Sequence, residues 1–260
     1  MPQVQMTERE IARHFVHAFA DPGRVVLEGV HPTIHALRFG AQLELAVTSD
    51  PKRLFTIVTR LAADVRTDIE QVMFEVSPSS FRRLTPRSLS SPLMATTARP
   101  VQCLDVLSVP DGKPVVFLEG PRNPGNVGAV IRVAAAADVS GVFVSGRVDP
   151  WSPVTIRSAT GLQFAVPVGT AELPDGGDRP IVVLDTRGEP FGTCPLEPSS
   201  IVVVGGERYG ASDRVMAMAD RRIALPMKDG VSSLNLSTAV AALLYAWKTT
   251  RAVIAGAPPW

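Results

Sequence analysis

Three short stretches of the 260-residue chain place polar side chains where chemistry could run. In LEGPRNPGNVGAVIR (118–132), Arg132 stands among Ala129, Val130, Ile131, Val133 and Ala134–Ala137, all small or apolar. A charge on such a helix is costly to bury unless it is paired or faces a cleft. The plainer alternative is an arginine snorkelling to the surface. Asn126 reads as the N-cap of the helix expected to begin there. In VVVGGERYGAS (202–212), a β-branched strand ends in Gly205-Gly206, with Glu207 beyond and Gly210 after. Such glycines let a ligand approach the backbone, although one Gly-rich turn is more often only a turn. In IALPMKDGVSSLNLSTAVAALLYAW (223–247), a loop with Pro226 and Gly230 leads into a helix. Its first turns are expected to hold Ser232, Ser233, Asn235 and Ser237, neutral donors and acceptors beside free backbone N–H groups. Ordinary capping accounts for Ser233, but less well for a polar cluster that continues through Thr238.

The available chemistry is narrow. All four histidines (His14, His17, His31, His35) precede residue 36, so the long remainder has no histidine base, triad or histidine metal ligand. Cys103 and Cys194 are too few and too far apart for a disulfide framework or a zinc site. No metal is expected. Catalysis beyond residue 35 must therefore run on Arg, Asn, Ser, Glu or Asp, or be driven by an electrophilic cofactor.

The elements that must position these residues are strands alternating with helices. RVVLEG (24–29), LELAVTS (43–49) and QVMFEV (71–76) read as strands, with helices near 31–38, 51–63 and 78–84. They form a small α/β unit. LTPRSLSSPLMATTARP (84–100) is rich in Ser, Thr and Pro and reads as a connection. Short buried strands are then expected at 114–120, 141–146, 164–169, 180–186 and 200–206, and helices at 131–138 and 236–250. The predicted organisation is a small domain with linker over 1–100 and a larger domain over 101–260, whose sheet is largely parallel and covered on both faces. All three polar stretches fall at carboxyl ends of its strands, where open α/β sheets bind ligands.

Composition is that of an ordinary soluble protein, 45% apolar and 20% charged. No apolar run approaches the roughly 20 residues of a membrane span, and the start has no apolar signal core. The expectation is a reducing cytoplasm. A net charge of +1 is bland for a nucleic-acid binder. Arg82, Arg83, Arg87 and Arg99, however, fall in an acid-free stretch over 81–100, which fits phosphate contact and a solvated loop equally well.

Taken together and in order, N-P-G-N-x-G-x-x-x-R, G-x-E-x-x-G and L-P-M…S-L-N-x-S resemble the three signature motifs of the SpoU (TrmH-like) branch of the SPOUT RNA 2′-O-ribose methyltransferases. The resemblance covers roughly 114–250. The earlier segment, with VLEG near residue 26, is similar to the ribosomal-protein-like RNA-binding domain that often precedes the catalytic domain. The resemblance implies a deep trefoil knot, an exception to the rule that chains avoid knots. It implies S-adenosylmethionine bound in that knot, with Gly205, Leu225 and Leu234 at pocket-lining positions and Leu184, Asp185 and Thr186 contributing. Arg132 matches the family's essential arginine, and Asn126, Glu207, Ser233 and Asn235 its other signature polar residues. Homodimers with the active site close to the subunit interface are implied as well. Asn123, where an acid is common, and Thr238, where a small apolar residue is frequent, are mild departures.

Methyl transfer from a sulfonium needs no metal and no covalent intermediate, because the cofactor brings the hard chemistry. A free arginine, with a pKa above roughly 12, is a poor base. Arg132 is thus expected to position a phosphate and stabilise alkoxide charge, with direct proton abstraction still open. The missing histidines then need no explanation. A non-catalytic RNA-binding relative would not need Asn126, Arg132, Glu207 and Asn235 intact. A dehydrogenase or a Rossmann-type methyltransferase would want G-x-G-x-x-G, and no G-x-G occurs in the chain. A hydrolase would want G-x-S-x-G and histidine. A separate N-terminal domain favours ribosomal RNA as substrate, with transfer RNA possible.

Overall fold

The computed structural model describes residues 6–85, 87–175, 177–192 and 196–254. The chain divides into two compact units, residues 1–101 with 160–165, and residues 102–159 with 166–260.

The first unit opens on α1 (Glu8–Ala20), which the sequence reading passed over. Thr7 and Glu10 cap it reciprocally, and Ile11, Phe15 and Ala18 bury one face. There follow β1 (Arg24–Glu28), α2 (Val30–Arg38), β2 (Leu43–Thr48), α3 (Pro51–Ala62), α4 (Arg66–Val72), β3 (Met73–Glu75), α5 (Pro78–Leu84) and β4 (Met94–Ala98). The strand expected over 71–76 is thus shorter, its first residues ending α4. The larger correction is β4. The stretch read as a connection contains a strand lying between β1 and β2, antiparallel to both, in the order β1-β4-β2-β3. MATTA looks too polar for a central strand, yet its hydroxyls are satisfied inside the fold. Thr97 Oγ1 donates to the Gln42 carbonyl at 2.7 Å, and Thr96 Oγ1 pairs with His14 Nε2 at 2.8 Å. The strand also splits the arginine cluster. Arg99 follows Ala98, opposite the start of β1, whereas α5 carries Arg82 and Arg83, and Thr85 bonds Glu28 at the far end of β1.

The second unit contains β5 (Val115–Leu118), α6 (Pro124–Ala137), β6 (Gly141–Val144), α7 (Pro153–Ala159), β7 (Val168–Thr170), β8 (Ile181–Pro190), β9 (Ile201–Val204), α8 (Asp213–Met218), β10 (Arg221–Ala224) and α9 (Leu236–Ile254). The strands form one sheet in the order β10-β8-β9-β5-β6-β7, every neighbouring pair parallel. β5, β6 and β9 are buried at every residue, as strands covered on both faces must be. The strand expected over 164–169 is displaced. Leu162–Phe164 form a 3₁₀ turn, and pairing begins at Val168.

Two local features shape the carboxyl ends of these strands. β8 pairs with β9 through Leu184, but against β10 its register jumps from Val183–Arg222 to Glu189–Ile223. Residues 184–188 therefore bulge out of that ladder, the usual way a strand re-aims its side chains beside a site. α6 begins at Pro124, and its N-cap is Asn123, whose Oδ1 accepts from Gly125 N at 2.8 Å. Asn126 is thus not the cap. It sits in the first turn, with its amide free for other partners.

Among the described residues, no helix is long and apolar enough to cross a membrane, and no cluster of three or more His, Cys, Asp or Glu side chains could hold a metal. Cys103 is free and exposed. Cys194 and the terminal 255–260 stretch lie outside the described residues.

Candidate active site

At the carboxyl ends of β8 and β9, the β8 bulge and the second and third polar stretches enclose a cavity of about 790 Å³. That is within the roughly 300–1,000 Å³ of small-molecule sites. All six residues expected to hold a cofactor line it: Leu184, Asp185, Thr186, Gly205, Leu225 and Leu234. Glu207, Ser233 and Asn235 line it too. The bulge brings residues 184–187 and the loop after β9 brings 205–211. The segment ahead of α9 brings 232–235.

The walls are amphiphilic. Leu184, Leu225, Leu234, Met216 and Met227 supply apolar surface, and Asp185 a carboxylate. Asp185 Oδ1 accepts from Arg187 N at 3.1 Å. Its Oδ2 is buried without a hydrogen-bond partner among the described residues, the Arg187 guanidinium standing 3.6 Å away. A buried acceptor left open in a cavity favours a ligand that carries donors, such as hydroxyls or an ammonium. Gly205 has a different task from the one its position suggested. A Cβ there would lie 2.0 Å from Gly210 C and 2.1 Å from Ala211 N. This glycine is required by the loop folding back on itself, before any ligand approaches.

At the cavity the three stretches are joined by one line of hydrogen bonds. Asn126 Nδ2 donates to Glu207 Oε1 at 3.1 Å, and Asn235 Nδ2 donates to Asn126 Oδ1 at 3.2 Å. Asn235 Oδ1 then accepts from Ser237 N at 3.0 Å and Thr238 N at 3.4 Å, and from Ser237 Oγ at 2.7 Å. The polarity of the line is forced. An ionised carboxylate can only accept, and the N–H groups at the start of α9 can only donate, so each amide between has one orientation. Asn235, not Ser233, caps α9. The helix starts at Leu236, so Ser232 and Ser233 precede it in the loop instead of occupying its first turns.

Partial burial opposes ionisation of Glu207, but hydrogen bonds from Asn126 and from backbone N–H groups, Arg122 and Asn123 included, outweigh it. They hold the carboxyl below the ordinary glutamate value. Arg122 N donates to Oε2 at 3.2 Å, next to the positive end of α6.

Arg132 stands apart. It is exposed on α6, does not line the cavity of its own chain, and its guanidinium has no hydrogen bond or ion pair among the described residues. The structure gathers Asn126, Glu207 and Asn235 and leaves Arg132 outside. The sequence reading also missed Arg187, Arg208 and Tyr209, which line the cavity beside the expected residues. Arg208 and Tyr209 fill unspecified positions of G-x-E-x-x-G, Arg187 lies outside the motifs, and no spacing signal marks any of them.

A parallel sheet with a cavity at its strand carboxyl ends, and no Gly-rich dinucleotide turn, is an α/β ligand-binding architecture outside the Rossmann pattern. Residues 113–245 match the model of the SpoU rRNA Methylase family. The chain belongs to that family and is a methyltransferase with an α/β SPOUT-type fold. It is similar to the 23S rRNA (uridine(2479)-2′-O)-methyltransferase of Streptomyces viridochromogenes, 27% identical over 242 residues, covering 86% of this chain and 82% of that protein. It is similar to the 23S rRNA (guanosine(2553)-2′-O)-methyltransferase RlmP of Bacillus subtilis, 27% identical over 228 residues, covering 85% and 86%. Among solved structures it superposes on the SpoU methyltransferase AviRb from Streptomyces viridochromogenes in complex with AdoMet. That match has a TM-score of 0.75 at 21% identity and covers 93% of this chain and 97% of that one.

Proposed function

We propose that the chain transfers the methyl group of S-adenosylmethionine to a ribose 2′-hydroxyl of ribosomal RNA, in the cytoplasm, as a homodimer. The observation that carries this reading is a cavity lined by residues of the second and third motifs, to which Asn126 of the first is tied by hydrogen bonds, with the open Asp185 acceptor in its wall. Leu184, Leu225 and Leu234 would enclose the apolar parts of the cofactor, and Asp185 and Thr186 would meet its donors. Bound there, the cofactor supplies an electrophilic sulfonium methyl group. As in other members of the family, the strand ends and the 205–235 segments would form a trefoil knot around it.

The chain's own task is alignment and charge. Glu207 and Asn235, tied together through Asn126, hold part of the cavity lining in place, and Ser233 in that lining would meet the ribose. Arg132 would grip the adjoining phosphate and sit as a fixed cation beside the developing alkoxide, being protonated below about pH 12. Arg132 is exposed and does not line its own chain's cavity, which fits a homodimer in which each cavity would be served by the arginine of the second copy. The first unit would dock the RNA.

The test is methylation of ribosomal RNA transcripts with labelled S-adenosylmethionine and no added metal. The expected product is one alkali-resistant dinucleotide, the mark of a 2′-O-methyl. Label on a base, or none with either ribosomal or transfer RNA, contradicts the proposal.

A further inference from the structure

The motif G-x-E-x-x-G leaves two positions open, and this chain fills them with Arg208 and Tyr209. Tyr209 is 84% exposed, the most exposed aromatic among the described residues, although it lines the rim of the cavity. It is not on a loose tip. Gly206 and Gly210 form an antiparallel bridge, with Gly210 N donating to Gly206 O at 3.0 Å. Gly210 closes the turn at φ +69°, a conformation that costs glycine nothing. The preceding Glu207 is tied to Arg122 N and Asn126, and Ser212 beyond is held by Glu119 through bonds of 2.8 and 2.5 Å. A fixed turn thus presents a bare aromatic ring to water at the mouth of a polar cavity. Arg208 next to it and Arg187 on the opposing bulge are both exposed.

A large aromatic side chain gains by burial, so a rigid turn that holds one out in solvent offers that gain to an external partner. The chemistry proposed for the cavity supplies a need for one. A ribose inside folded RNA reaches a recessed cavity only if its nucleotide leaves the stack, and the lost stacking must be replaced. We propose that Tyr209 is the stacking platform for the base of the methylated nucleotide, with Arg208 and Arg187 taking flanking phosphates. This rests on the proposed function, and it assigns recognition of the nucleotide to residues the family motif does not specify. Stacking reads a π-face and not base edges, so Tyr209 contributes affinity without choosing among the four bases.

The test couples protein and RNA changes. The wild type is first used to locate the methylated position in fragments of ribosomal RNA, and that fragment is then made with an abasic target nucleotide. Tyr209→Ala should raise KM for the intact fragment by about five- to a hundredfold, the range of base–aromatic stacking, with a smaller change in kcat. Tyr209→Phe and Tyr209→Trp should retain wild-type KM. The abasic fragment should bind the wild type more weakly by a similar factor, and Tyr209→Ala no more weakly than it binds the intact one. Full additivity of the two losses, or an unchanged KM in an active Tyr209→Ala enzyme, overturns the assignment. So does dissociation of a wild-type dimer by Tyr209→Ala, since the ring would then belong to the subunit interface. If the wild type itself transfers no methyl group to RNA, the proposed function fails, and this outcome is distinct from all of these.

Discussion

Asn126 and Arg132 occupy the same helix and the same motif, and the fold treats them oppositely. Asn126 is bonded at both ends of its amide, to Glu207 and to Asn235. Arg132, about 120° away around the helix at 3.6 residues per turn, makes no such bond among the described residues. A side chain spent on internal hydrogen bonds holds the site's shape. One kept out of them is available to a substrate or a second subunit. The motif spacing treats both alike, and only the structure separates architecture from chemistry.

The strongest way to break this comparison is at the cavity itself. Gly205→Val should abolish methyl transfer and S-adenosylmethionine binding and lower the Tm, since its Cβ lies on the Gly210–Ala211 backbone. A variant that melts and binds cofactor like wild type would show that the loop has another conformation. Next in size, Arg132→Ala should reduce kcat by about 10²–10³-fold, the cost of losing one charge-stabilising group, with Tm and cofactor affinity unchanged. Arg132→Lys should recover little, because a point charge lacks the planar fork. Single-turnover methylation checks both, and near-normal rates would return Arg132 to an ordinary surface role.

Asn126→Ala acts through shape. It leaves Glu207 and Asn235 each short of a partner and should cost about 1–3 kcal/mol of unfolding free energy, measured by denaturant titration. A loss of kcat with no loss of stability would move Asn126 into the chemistry. The smallest expected effect is a pH dependence. Glu207 has a lowered carboxyl in the folded state, so its contribution to stability is present above the ordinary value of 4.5 and is lost as pH falls through the folded value. The stability gap between wild type and Glu207→Gln should therefore shrink as pH drops below 4.5. A gap that widens on acidification contradicts the assigned sign.

What the sequence made legible follows from burial. β5, β6 and β9 are buried on both faces, so their β-branched runs announced them. β4 did not, because Thr96 and Thr97 satisfy their hydroxyls through partners 82 and 55 residues away. The site residues were found as three separate signals. Their union was hidden, since the bonds from Asn126 to Glu207 and Asn235 span 81 and 109 residues and are closed only by strand order. The bulge at 184–188 depends on a register shift against β10, a strand the sequence reading did not propose. Tyr209 was illegible because nothing in its spacing distinguishes a bare aromatic from a packed one.

The contrast between a tied Asn126 and a free Arg132 is tested most directly by mixing two inactive chains. Arg132→Ala keeps an intact cavity but lacks the arginine, and Gly205→Val keeps the arginine but lacks the cavity. If each cavity is served by the other copy's Arg132, co-refolded or co-expressed mixtures should regain methyl transfer to ribosomal RNA through their mixed dimers. Mixed dimers isolated with one tag on each chain and found inactive would place Arg132 with its own chain's cavity, and would contradict the account.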